Sequence, residues 1–140
     1  MIRELIRRLI RSVRAHAPGW LLPVIAFLSL TGCGEQRAAP VNVELARSTL
    51  THVLEHWKAG GTPDELRKQK PEIVVQEAIW TNGKKLIDFT LVDNGREEDA
   101  NWYCEVELTL VAEDESEPQK KKVTYIVGTD PVLTVFHAIL

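Results

Sequence analysis

The chain has 140 residues, of which 17 are basic, 20 acidic and 44% hydrophobic. Five arginines and one glutamate fall within residues 1–32, so residues 33–140 hold twelve basic and nineteen acidic groups, a net charge of −7. That balance offers no footprint to a phosphate backbone, which argues against nucleic-acid binding, and the length allows one modest core rather than two.

The N-terminal segment alternates Arg3, Arg7, Arg8, Arg11 and Arg14 with Ile2, Leu5, Ile6, Leu9, Ile10 and Val13 at helical spacing. Two readings stand. The segment is an amphipathic surface helix, or translation begins downstream, for example at Val13, leaving a signal of twenty residues with Arg14 and His16 in front. Next comes an apolar run of eleven residues, Trp20 to Leu30. As a helix it rises only about 16 Å, far short of a bilayer core of ~30 Å. It has the length of the apolar part of a secretory signal peptide, and the arginines before it set a cytoplasmic N-terminus.

Leu30-Thr31-Gly32-Cys33 closes that run and resembles the lipobox of bacterial lipoproteins. The resemblance covers residues 1–33. It implies cleavage between Gly32 and Cys33 and a diacylglycerol on the Cys33 sulfur. It also implies export and anchoring on the periplasmic face of a bacterial membrane. Because Gly34 rather than aspartate follows the cysteine, the sorting rule of familiar lipoproteins permits the outer membrane. The expected organisation is a signal peptide over 1–32, a lipidated cysteine and tether over 33–41, and a small domain over 42–140. The eight residues from Gly34 to Val41 span at most about 28 Å. Cys33 and Cys104 are the two cysteines, and acylation of the first leaves the second without a disulfide partner. Cys104 sits in an apolar alternation and is expected to be a small buried hydrophobe.

Asn42 is placed to cap a helix running to about Ala59, with Ala46, Leu50, Val53, Leu54 and Trp57 as its apolar stripe and Gly60-Gly61 as its stop. Thr62-Pro63-Asp64-Glu65 predicts a short second helix opened by a capping box. From Glu72 the period changes to two. A strand from Ile73 to Trp80, an Asn82-Gly83 turn of type I′ and a strand from Leu86 to Val92 predict a hairpin. Trp102, Cys104, Val106, Leu108 and Leu110 then alternate with polar residues in a long strand with one wet face. Lys121–Val127 and Val132–Ile139 complete the set. The fold class expected is α+β: a long helix and a short one packed on a four- to five-stranded antiparallel sheet. In element order this is similar to the cystatin-like and NTF2-like builds, a likeness of shape that does not assign function.

Four candidate sites follow. His52-Val53-Leu54-Glu55-His56 matches the His-x-x-E-His pattern of one class of zinc peptidases. A catalytic zinc needs a third protein ligand, and the chain downstream reads as strands and turns, so the expectation is a solvated helix flank and no bound metal. His137 is assigned only to the sheet. Asp88, with Tyr103 or Tyr125 as hydrogen-bond donor, is the candidate general base if the domain encloses a cavity; the competing expectation puts Asp88 on the solvent side. Thr124-Tyr125-Ile126-Val127-Gly128 is the nearest stretch to the Gln-x-Val-x-Gly hairpin of cystatin inhibitors but lacks its glutamine. Trp80 and Trp102 form a partner-binding rim or a cover for the core. No cofactor is expected, and the partners expected are the membrane, through the lipid, and an envelope protein.

Overall fold

The computed structural model describes residues 39–112 and 117–139. The expected signal peptide over 1–32, Cys33 and the expected tether up to residue 38 lie outside them. The described elements are α1 (Val43–Lys58), α2 (Pro63–Arg67), β1 (Ile73–Gln76), α3 (Ala78–Thr81), β2 (Lys85–Leu91), β3 (Arg96–Glu98), β4 (Asn101–Val111), β5 (Gln119–Gly128) and β6 (Leu133–Ala138). The α+β class and the long helix on a sheet are as the sequence predicts.

α1 begins where Asn42 turns its side chain onto the backbone N–H of Leu45, 2.9 Å away. Its buried face is the predicted stripe plus Thr49. Gly60, at φ +86°, ends it, since only glycine takes that conformation without a Cβ penalty. In α2, Glu65 Oε2 reaches back to accept from the Thr62 N–H at 2.9 Å, satisfying a donor that the first helical turn leaves open.

The sheet runs β1-β6-β5-β4-β2, with β3 paired to the far half of β4. The predicted hairpin across Asn82-Gly83 is not formed. β1 instead pairs in parallel with β6, Ile73 opposite Leu133 and Gln76 opposite Phe136, so the sheet is mixed and six-stranded rather than wholly antiparallel. The reason is local. Glu77 caps a single helical turn, α3, by accepting from the Ile79 N–H at 2.8 Å, and Asn82 becomes that turn's C-cap at φ −81° with Gly83 following at φ +86°. Asn-Gly serves a helix end as readily as a type I′ turn. The positive-φ pair that a tight β-turn requires appears instead at Asp99 and Ala100, between β3 and β4.

α3 carries Trp80 inward, where it stacks on Trp57 of α1 with ring centroids 5.2 Å apart and planes 12° from parallel. Trp57 Nε1 donates to the Lys84 carbonyl at 3.0 Å. Trp80 and Trp102 are both buried, Trp102 completely, so the rim expectation gives way to core packing. The Trp102 indole N–H donates to Asn94 O at 3.3 Å, and Arg47 lies over its ring 5.5 Å from the centroid. Cys104 is fully buried as expected. Burial pushes its thiol up to about 12, reinforced by its hydrogen bond to Asp93.

Two predictions rest on this packing. Trp80→Ala removes the stack and leaves a void, and chemical denaturation is expected to show a loss of about 3–5 kcal/mol. Cys104 favours the protonated form in the fold, so its stabilisation is whole below the ordinary thiol value near 9 and is lost as pH climbs toward about 12. Denaturation midpoints measured from pH 8 to 11 therefore fall more steeply in the wild type than in Cys104→Ala.

Candidate functional site

At the end of the sheet where β1 stops and α3 begins, three polar side chains meet. Glu77 follows β1 directly and is 2% exposed. Tyr125 on β5 and His137 on β6 are direct cross-strand partners, so the antiparallel register sets their rings side by side, centroids 5.9 Å apart. Both point to the face that carries Val127 and Val135, since strand residues two apart share a face. Glu77 closes the group from above. Its Oε2 accepts from the Tyr125 hydroxyl, and its Oε1 faces His137 Nδ1 at 2.9 Å while also accepting from the Ile79 N–H.

The arrangement answers a physical demand. A carboxylate taken out of water is expensive unless its oxygens are hydrogen-bonded, and this one has partners from α3, β5 and β6. An ionised carboxylate only accepts, so His137 carries its proton on Nδ1. The other imidazole nitrogen, Nε2, has no protein partner among the described residues, and no buried side-chain nitrogen or oxygen there lacks one. Nε2 therefore reaches solvent. The Tyr125 phenol is held far above its ordinary value, by burial first and then by the Glu77 charge, so it stays a donor at any physiological pH.

His137 borders two open grooves on either side of α3. The larger, about 600 Å³, runs between Ala78, Ile79 and Asn82 on one bank and Lys121, Lys122 and Thr124 on the other. The smaller, about 390 Å³, passes Val75, Gln76 and Thr81. Lys122 on the groove pairs with Glu105 at 3.4 Å, and both Lys121 and Lys122 are exposed. A fixed imidazole presenting a solvent-facing nitrogen, flanked by ammonium and aliphatic groups, can accept a hydrogen bond from a ligand or, once protonated, donate one.

The residues singled out in the sequence fall elsewhere. Asp88 lies outside the core with its side chain 63% exposed and paired to Lys58 Nζ at 2.9 Å. That hydrogen bond, helped by the Phe89 N–H and the lysine charge, holds its carboxyl below the usual range. Neither tyrosine serves it: Tyr125 belongs to Glu77, and Tyr103 packs under the Arg96 guanidinium, 4.9 Å from the ring centroid. Of the two expectations for Asp88 the solvent-side one holds and the general base does not; β2 bulges between Leu86 and Asp88 and turns the acid to water. His52 Nε2 bonds Gln69 Oε1 at 2.9 Å, and His56 Nε2 meets Glu65 Oε2 at 3.0 Å. His56 ties α1 to α2 and His52 ties it to the turn that follows α2, and no cluster of three metal-ligating side chains occurs among the described residues. Thr124–Gly128 is embedded in β5 between two neighbours and forms no protruding hairpin.

Glu77 was not among the sequence candidates. Its signal was the single acid within Ile73–Trp80, two residues before Ile79, where a side-chain cap starts a helix inside an otherwise strand-like run. No protein-family model, no curated protein and no solved structure matches the chain.

Tyr125→Phe leaves one Glu77 oxygen without its donor in a buried setting, and a loss of about 1–3 kcal/mol is expected in equilibrium unfolding. Asp88→Asn, by contrast, is expected to leave the unfolding midpoint unchanged within error, because an exposed pair contributes little.

Proposed function

We propose that this chain is the precursor of a bacterial lipoprotein. Residues 33–140 are its mature part, anchored by acylated Cys33 on the periplasmic side of the cell envelope, with the outer membrane as a permitted destination. The domain acts as a non-catalytic binding or accessory module toward a partner or ligand of the envelope. The observation that carries the reading is Leu30-Thr31-Gly32-Cys33, set directly after an apolar run too short to span a bilayer and preceded by five arginines. The acidic balance of residues 33–140 agrees with recognition other than that of nucleic acid. Asp88 outside the core and a sheet face filled by Trp102, Val106, Leu108 and Val135 favour a packed binding module over an enclosed catalytic cavity. Recognition then falls to the open groove beside His137.

The test is the intact mass of the protein extracted from the membrane fraction of its own host. The expected mass is that of residues 33–140 with two or three acyl chains, and Cys33→Ser accumulates the uncleaved, unlipidated chain. A wild-type mass equal to the unmodified full chain contradicts the reading.

One observation favours a second reading, a small-molecule isomerase or lyase: the buried carboxylate behind His137. With Nδ1 held by Glu77, Nε2 is placed to take a proton from a bound substrate and return it, the work of a general base. Small carbonyl and hydroxy compounds screened for shifts of the His137 imidazole resonance separate the two. Turnover of a binder by wild type but not by His137→Gln establishes the enzyme; binders left chemically unchanged leave the binding module.

A further inference from the structure

At the far end of α1 from Trp57, the domain carries an apolar lip that no element among the described residues covers. It borders a groove of about 400 Å³ lined by Leu45, Pro71, Glu72, Pro131, Val132 and Leu133 with Thr129 at its edge. Leu45 and Val132 are each 39% exposed, two of the five large hydrophobic side chains that the described residues leave in water. The lip sits where the tether joins the domain: the Asn42 N–H donates to Thr129 Oγ1 at 3.1 Å, and Leu45 is three residues further on.

We propose that this lip rests on the bilayer, with Leu45, Pro71, Pro131 and Val132 in the interface among the lipid headgroups. The inference depends on the lipoprotein reading, which supplies the anchor. Eight residues separate Cys33 from Asn42, a reach of at most about 28 Å, so the acylated end of the chain keeps the Asn42 end of the domain close to the membrane. The lip's chemistry suits a lipid surface. Prolines, a leucine and a valine give up water at little entropic cost, and partly exposed apolar groups gain by entering the interfacial layer. Its charge sets the lipid class. Glu72 in the groove lining is paired with Arg67 at 3.4 Å, the charged residues flanking the lip in sequence, Glu44, Lys70 and Asp130, form no basic cluster, and residues 33–140 carry a net −7, so the contact is with zwitterionic lipid and is insensitive to salt. Ile87, also exposed, provides an internal reference. It neighbours Asp88, which pairs with Lys58 at the other end of α1, and sixteen helical residues set the two ends about 24 Å apart.

The experiment uses the full lipidated protein reconstituted in phosphatidylcholine vesicles. An environment-sensitive fluorophore is placed at Val132→Cys or at Ile87→Cys. Cys104 stays unlabelled because it is fully buried and its thiol is pushed up to about 12. Vesicle flotation is read first, then emission wavelength and quenching by doxyl-bearing lipid. Co-flotation, with a blue-shifted label at 132 quenched several-fold more than the label at 87 and unchanged by added salt, is the expected result. To exclude insertion driven by the dye, unlabelled protein is compared by hydrogen exchange in vesicles and in a detergent-free soluble form that lacks residues 1–33; slower exchange around Thr129–Leu133 in vesicles is expected. Co-flotation with both labels equally wet and no change in exchange overturns the lip while leaving the anchor. Failure to float overturns the lipoprotein reading and the lip with it.

Discussion

The constraint on which the site depends is the burial of Glu77. A carboxylate placed in an apolar setting must be met by donors, and meeting it fixes the chain around it. The backbone N–H of Ile79 closes α3, the Tyr125 hydroxyl holds β5, and the His137 imidazole holds β6. Three segments that are distant in sequence, up to 60 residues apart, converge on one carboxyl group. Removing any one donor leaves the others facing an undersatisfied charge, which is why such a network behaves as a unit.

Two consequences spread from this point. Capping α3 diverts the chain after β1, so β1 cannot fold back on β2 and instead takes the open edge of β6 in parallel. The same turn delivers Trp80 onto Trp57, and the stacked pair locks α1 over the sheet. One buried acid thus couples the mixed topology, the aromatic core at the C-terminal end of α1, and the presentation of an imidazole nitrogen at the groove. The two ends of the domain also carry different surfaces. The oriented histidine borders a groove beside α3, while the uncovered apolar lip lies beside the point where the tether joins the domain.

Much of this was legible in the residues themselves. The stripe from Ala46 to Trp57, the Asn42 cap, the capping box at Thr62 and the strict alternation from Trp102 to Leu110 each reflect a local rule, periodicity or capping, that tertiary packing did not need to override. The α+β class follows from their order. What the sequence hid was pairwise. Asn82-Gly83 suits a hairpin and a helix end equally, and the choice was made by Glu77 in contact with residues 48 and 60 positions away. The aromatic side chains at 80 and 102 were ambiguous for the same kind of reason, since burial depends on what α1 brings to them. Asp88 was legible as a solvent-side residue, though not the β2 bulge between Leu86 and Asp88 that turns it outward. The histidine pair at 52 and 56 was legible as a flank, though not that it clasps α2 through Glu65 and the turn after it through Gln69.

The central claim is that Glu77 fixes the proton of His137 on Nδ1 and leaves Nε2 open to the groove. Long-range ¹H–¹⁵N correlation of the histidine side chains, recorded on the neutral imidazole, tests it most directly. The account predicts a protonated, slowly exchanging Nδ1 and an unprotonated Nε2 for His137. It also predicts that Glu77→Gln, which replaces an obligate acceptor by an amide able to donate, releases that preference. Finding His137 with its proton on Nε2 in the wild-type protein would contradict it.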